Sequence, residues 1–358
     1  MLHEYNSCNT KLIFLIGYVL FFSIVLRPAT GLSAEFIELS NVALHSDKLK
    51  SGQCTHIMRG EIVPGDSRKL SELIDRIPKQ NHDELNFLFC LDSEGGNLRE
   101  GLKIGALFRS NFFGTFVPEN ARCLSACAIA FMHGTIGEWE YIQTFRMLHP
   151  LGRLGFHAPS LGIELDGTQN VPFAFVEAAH SATLQDIADI VSGSAYPVSS
   201  FAYPIIPTSL IAQMLKTEPD QFFYIDDLHK SFLWGIYIYP HNLTAPDGFD
   251  LDLAYYQLCE NISYILEPHS YSAENYARTV TESLIESVKN HWTTPLPQNH
   301  KLVEVTNTWN RECSYTYRKD VELFTVRRYE AGDFTDEVQV SPVFLFPPRT
   351  KIVQIAPK

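Results

Sequence analysis

The sequence predicts an α/β chain, built on a parallel sheet of βαβ units and followed by a smaller domain that is α+β or β-rich. Three observations predict it. Between Leu85 and Phe131 two short apolar runs are each followed by a turn and then a helical pattern. Apolar runs of this length alternating with helical periodicity are the mark of parallel βαβ units. Ahead of them, a strand-like stretch at Cys54–Val63, with Thr55, Ile57 and Ile62, leads into Leu70, Leu73, Ile74 and Ile77 at helical spacing, which adds one more strand–helix pair. Beyond Pro240 the helical periodicity gives way to a Pro-, Gly- and Asp-bearing linker, His241–Leu251, and then to strand-like runs.

Taken in order, the chain opens on Lys11 and an almost unbroken apolar run, Leu12–Leu26, followed by small and turn-rich residues up to Ala34. About fifteen apolar residues is signal-peptide length and short for a spanning helix. Residues 1–34 therefore read as a signal peptide cleaved near Ala34, or as an N-terminal anchor through residues 12–26. The α/β domain follows at 35–239 and a C-terminal domain of unknown function at 240–358.

Within the α/β domain, Ala34–Ala43 reads as extended and Cys54–Val63 as a strand, with a turn and helix start at Pro64–Ser67. Helix Lys69–Ile77, strand Leu85–Leu91, helix Leu98–Phe108 and strand Gly114–Val117 come next. Ala126–Met132 is too apolar to face water and reads as a buried helix, and Gly134–Leu151 as a lid or insertion. Helix Phe173–Val191 is expected to turn Phe173, Val176, Leu184, Ile187 and Val191 inward. A short helix at Ser209–Leu215 precedes one ending at Gly235, with Asp226 as its N-cap. In the tail the strand-like runs are Lys301–Val305, Glu322–Arg328 and Val338–Phe346.

Composition narrows the function. A chain of 358 residues with a 45% hydrophobic share fits two domains with real cores. A net charge of −13 excludes a nucleic-acid binder, which needs clustered Lys and Arg. Six of the seven cysteines lie beyond the leader, an even number that permits disulfides in an exported chain. Cys259 and Cys313, both in the tail, make the most natural bridge, and Cys123 and Cys127 are a second candidate pair across one turn. No CxxC pair or His-x-x-x-His cluster points to zinc, and no motif calls for a metal or cofactor.

The residues that could carry chemistry sit where strands give way to helices, the place where α/β sheets form sites. Gly95 and Gly96 can take backbone angles closed to other residues and bring bare N–H groups close to a ligand. Ser125 begins a helix, so the N–H of Ala126 is one of the unpaired donors at that helix start. The N–H groups of Gly96 and Ala126 can together face a developing oxyanion. A Gly-Gly turn or a Ser cap taken alone is more often structural.

On Ser93-Glu94-Gly95-Gly96 and Cys123-Leu124-Ser125-Ala126-Cys127, and over about Cys54 to Tyr237, the chain resembles the Clp protease/crotonase superfamily. It resembles the Clp-type serine proteases in particular, and among these a group of predicted periplasmic relatives carrying Ser-Pro-Gly-Gly and Cys-x-Ser-Ala-Cys. Glu94 stands where the family has proline. The resemblance implies a ClpP/crotonase-like spiral of βαβ units and a homo-oligomer. It makes Ser125 the nucleophile, His157 the base delivered by the Leu154–Pro159 strand, and Asp220 the orienting carboxylate. Gly96 and Ala126 become the oxyanion hole. His133, His149 and His180 are the rival bases in this half, and none stands in a comparable motif. No lysine occurs between Lys103 and Lys216, which removes a Ser–Lys dyad.

The expected function is an exported serine peptidase, periplasmic or secreted, or anchored by residues 12–26. It would hydrolyse peptide bonds of a peptide or protein substrate through an acyl-enzyme. The alternative is a catalytically inactive relative used for binding or assembly. A crotonase-like acyl-CoA enzyme is disfavoured by the expected export.

Overall fold

The run Leu85–Asp92 is apolar enough to be buried on both faces, and it becomes an inner strand of the main sheet. In the computed structural model, the described residues are 33–39, 44–45, 52–77, 85–138, 141–159, 172–195, 197–198, 203–239, 243–245, 254, 258, 261–262, 303–306, 311–318, 323–330 and 333–357. Ala34–Lys358 is one compact unit. The leader up to residue 32 lies outside the described residues, and among those described no helix is long and apolar enough to cross a membrane.

The elements begin with β1 (Glu35–Glu38), β2 (Leu44–His45), β3 (His56–Arg59), α1 (Asp66–Ile74), β4 (Leu85–Asp92), α2 (Leu98–Ser110) and β5 (Phe113–Val117). They continue with β6 (Arg122–Leu124), α3 (Ala126–Phe131), β7 (Thr135–Glu138), β8 (Tyr141–Thr144), β9 (Arg146–Leu148) and β10 (Arg153–Phe156). Then come α4 (Phe173–Ser194), β11 (Pro197–Val198), β12 (Tyr203–Pro204), α5 (Thr208–Lys216), β13 (Phe223–Tyr224), α6 (Leu228–Leu233) and β14 (Tyr237–Ile238).

The main sheet runs β1-β3-β4-β5-β9-β14, with β2 pairing antiparallel to the start of β4. From β3 to β14 every pairing is parallel, and β1 lies antiparallel at the edge. Alternate residues of β4 serve two faces, as strand geometry requires. Phe87, Phe89 and Leu91 enter the larger core with α1, α2 and α3, while Leu88 and Cys90 pack with Phe116, Ile136, Phe145 and Met147 on the other side. A second, three-stranded sheet, β13-β10-β6, joins the end of β4 through a bridge between Ser93 and Cys123.

Three expectations change. Gly134–Leu151 is no lid: it holds the β7–β8 hairpin and then β9, a strand of the main sheet. All three residues of β9 are buried, so neither a two-residue nor a helical period could show. Helix α4 leaves Phe173, Val176, Leu184 and Val191 exposed at 74%, 48%, 52% and 47%, and only Ile190 and Ser194 near its end are buried. Its apolar stripe runs past the core instead of into it. The cap of α6 is Asp227, which accepts from the Lys230 N–H at 3.0 Å, because the helix starts one residue later than expected. Asp226 pairs instead with the ammonium groups of Lys230 and Lys351.

Cys54 and Cys90 form a disulfide with Cα atoms 5.6 Å apart, tying the approach to β3 onto β4. Sequence reasoning left both cysteines unassigned; a bridge of this separation typically stabilises by about 2–4 kcal/mol. Cys123 and Cys127 form the second, with Cα atoms 5.1 Å apart. The expected partner pair is not described: Cys259 lies outside the described residues, and only the backbone of Cys313 is described.

In the tail, β15 (Val303–Thr306), β16 (Arg311–Arg318), β17 (Leu323–Glu330) and β18 (Asp333–Val340) form an antiparallel four-stranded sheet. A following turn places the Phe344 ring stacked on Phe232, 4.3 Å between centroids. Residues beyond it cap α6: Leu228 N–H donates to the Thr350 carbonyl at 3.1 Å, and Ile352 N–H to the Asp226 carbonyl at 3.0 Å.

Among the described residues two histidines are sealed in the core, His56 at 0% and His133 at 1% exposure, and burial pushes both down to about 4. The unfolded chain binds their protons from about pH 6.5, so folding stability falls as pH drops from there toward about 4. The loss is at most on the order of 3 kcal/mol per histidine. Urea midpoints measured between pH 7 and pH 4.5 should fall together with this window, and a flat profile there would count against it.

Candidate active site

Three loops converge where the two sheets meet. The first leaves β4. Ser93 Oγ accepts the Gly95 N–H at 3.1 Å, the Gly95 carbonyl accepts Ile62 N–H at 2.7 Å, and Asn97 N–H donates to the Ile62 carbonyl at 2.8 Å. Both glycines are in the positive-φ region, Gly95 at 99° and Gly96 at 134°, which favours glycine. A side chain on Gly95 would stand 2.6 Å from the Leu124 carbonyl oxygen and 2.7 Å from Ser125 Cβ, so the loop lies directly against the serine. Glu94 pairs with Arg122 at 2.9 Å and joins this loop to β6 from outside. Both partners are exposed, and such a pair is worth little.

The second loop is Ser125 itself, between β6 and α3. Its N–H donates to the Gly155 carbonyl at 3.0 Å, and its carbonyl accepts from Ile129 N–H at 3.2 Å. Its backbone stands at φ 55°, ψ −123°, in a region that costs a non-glycine residue about 1–3 kcal/mol and persists only where neighbours over-determine it. Helix α3 is buried throughout, and α2 reaches it closely because Gly101 and Gly105 face it. A side chain on Gly101 would stand 2.7 Å from the Ala126 carbonyl, and one on Gly105 2.6 Å from His133 Nδ1. The N–H groups of Gly96 and Ala126 make no hydrogen bond among the described residues.

The third loop follows β10. His157 Nε2 lies 2.7 Å from Ser125 Oγ, inside hydrogen-bond reach. Burial holds the imidazole below its ordinary value, and the nearby Ala158 backbone offsets part of this, so the ring is neutral at pH 7. Phe222 packs edge-on against the ring at 4.9 Å. A neutral ring bonded to a serine hydroxyl is in the state needed to accept its proton.

The structure sets His157 on Ser125 and Gly95 against Ser125 and Ala126, and it gives Asp220 no hydrogen bond to His157. Among the described residues, His157 Nδ1 is buried without a hydrogen-bond partner. Asp220 is exposed on the turn where Gln221 N–H bonds the Glu218 carbonyl. That turn is nonetheless tethered to the base, through Ala158 N–H to the Thr217 carbonyl at 3.1 Å. Of the rival bases, His133 is sealed in the core with Nδ1 on the Ile129 carbonyl, and His149 Nδ1 accepts the Leu151 N–H. Sequence reasoning named Ser93 in its motif without a role for its hydroxyl, which holds the Gly95 N–H, and gave none to Phe222.

No model of a known protein family matches the sequence, and no curated protein matches it. Among solved structures the chain is similar to a point mutant of ClpP1 from Listeria monocytogenes, with a TM-score of 0.35 and 12% identity, over 54% of this chain and 95% of that one. It is similar also to a point mutant of 1510-N, a membrane-bound stomatin-specific protease, with a TM-score of 0.34 and 12% identity, over 51% of this chain and 77% of that one.

Proposed function

We propose that the protein is a ClpP-like serine peptidase that cleaves peptide bonds through an acyl-enzyme on Ser125. The observation that carries this reading is the 2.7 Å contact between Ser125 Oγ and His157 Nε2, at a serine held in a strained backbone conformation. His157 takes the hydroxyl proton as Oγ attacks the carbonyl carbon and returns it to the leaving amine. The N–H groups of Gly96 and Ala126 receive the oxyanion. Two disulfides among the described cysteines support an oxidising compartment, periplasmic or secreted, with residues 12–26 as signal peptide or anchor. The exposed apolar residues of α4 support a homo-oligomer.

The test is labelling of the full-length protein by a fluorophosphonate, with mass mapping of the adduct. Ser125 should be the labelled residue. The rate should rise with pH as His157 loses its proton and level off with a midpoint below 6.5. Absence of an adduct on Ser125 would sink the reading.

The same geometry sets the expectation for Asp220. With no partner for Nδ1 among the described residues, the pair works without a third group, and Asp220→Asn should slow labelling by less than about tenfold. An engaged triad carboxylate is worth about 10⁴, and a loss of that size would mean that the turn swings Asp220 onto Nδ1 in the working state. The unpartnered Nδ1 also supports the second reading, a non-catalytic binding protein, which predicts no labelling at all.

A further inference from the structure

We propose that the Cys123–Cys127 disulfide is a positioning device for the nucleophile, and that Cys54–Cys90 serves the fold alone. The proposal rests on reading Ser125 as the nucleophile. Its starting point is that the bond spans the serine: Cys123 lies in β6, Cys127 in α3, and Ser125 stands midway between them at φ 55°. A serine at such angles needs restraint from its surroundings. Ser125 has no side-chain cap bond, and α3, at six residues, is too short to impose the geometry by its own cooperativity.

The position of Cys123 gives the bond its reach. Cys123 pairs with Leu154 in β10, the strand that delivers His157, and bridges to Ser93, which fixes the glycine loop. Cys127 follows Ala126, whose N–H is a free donor of the site. One covalent tie therefore gathers base strand, glycine loop, nucleophile and oxyanion donor. Both cysteines are fully buried, so the bond is not a handle for reductants in solution.

Loop-closure arguments point the same way. The stabilisation expected from restraining the unfolded chain grows with the number of residues enclosed. Cys123–Cys127 encloses a separation of 4 residues and Cys54–Cys90 one of 36. The short bond is the weaker staple of the fold, and its consequence is local geometry at Ser125.

The experiment compares fluorophosphonate labelling of the full-length chain with its unfolding midpoint. In labelling, Ser125 Oγ bonds to phosphorus, fluoride departs, and His157 receives the serine proton. The variant C54A/C90A should melt at a lower temperature and label at the wild-type rate. The variant C123A/C127A should keep its near-UV circular dichroism and label about 10²-fold more slowly, the loss expected when a reacting group is misplaced. As a second route, the variant C123S/C127S, which removes the bond and keeps side chains of similar size, should slow to the same degree. The proposal is overturned if C123A/C127A labels at the wild-type rate, if both variants slow in step with their melting temperatures, or if C123A/C127A does not fold. A wild-type protein that fails to label overturns the nucleophile reading itself, before any cysteine is changed.

Discussion

Replacing Ser125 by alanine should lower peptide turnover by about 10⁴–10⁶ while leaving the melting temperature at or above that of the wild type. The catalytic half follows from the contacts of His157 among the described residues: Nε2 bonds Ser125 Oγ, and Nδ1 has no hydrogen-bond partner. The stability half follows from the backbone. Ser125 makes no side-chain cap bond to its helix, so alanine removes no support from α3. His157→Ala should lose turnover on a similar scale, because the serine proton then has no acceptor. The two losses should not add, since serine and histidine act as one unit. Turnover on a peptide library, measured with each single variant and the double variant, gives the comparison. A Ser125→Ala protein that retains wild-type turnover removes the peptidase reading.

Gly95→Ala should be nearly as damaging, by a different route. The new methyl would meet the Leu124 carbonyl oxygen at 2.6 Å, Ser125 Cβ at 2.7 Å and Ala126 N at 3.1 Å. None of these is the free end of a flexible side chain, so either the glycine loop or the serine must shift. The residue also stands at φ 99°, where alanine is strained. Together these should destabilise by about 2–4 kcal/mol and slow Ser125 labelling by about 10²-fold. Gly96→Ala is the informative contrast. Its methyl would strike the Ile62 carbonyl at 2.3 Å, and its nearest neighbours are all atoms of Ile62 and none of the serine. It should cost stability to a similar degree and leave a larger share of the labelling rate. Equal labelling losses in the two variants would count against this division.

Much of the site was legible because its residues are constrained by local chemistry. Gly95, Gly96 and Ser125 stand at strand ends, where positive-φ glycines and a helix start leave a short-range trace. His157 was reached through its strand and the resemblance, and its Nε2 lies 2.7 Å from Ser125 Oγ. Asp220 was not placed as well, since a Pro-Asp turn reads the same whether the carboxylate points to solvent or to a base. The Cys54–Cys90 pair was hidden because pairing across 36 residues depends on the register of β3 and β4, which spacing does not encode. Helix α4 misled because an apolar stripe reports that a face can be buried, and not by what. Residues of β9 carried no periodicity at all, being three and all buried.

The ion pair of Lys351 with Asp226, at 2.8 Å, spans 125 residues of chain. Together with the bonds from Leu228 and His229 to the Thr350 and Pro348 carbonyls, it closes the start of α6. Contacts of such separation form late, since the loop-closure entropy must be overcome before they contribute. On a ribosome or a translocon, where the chain emerges from its N-terminus, the helix would therefore stand with its first amides in water while more than a hundred further residues are delivered. The order of synthesis thus becomes an order of assembly, with the main sheet first and the closure of α6 last.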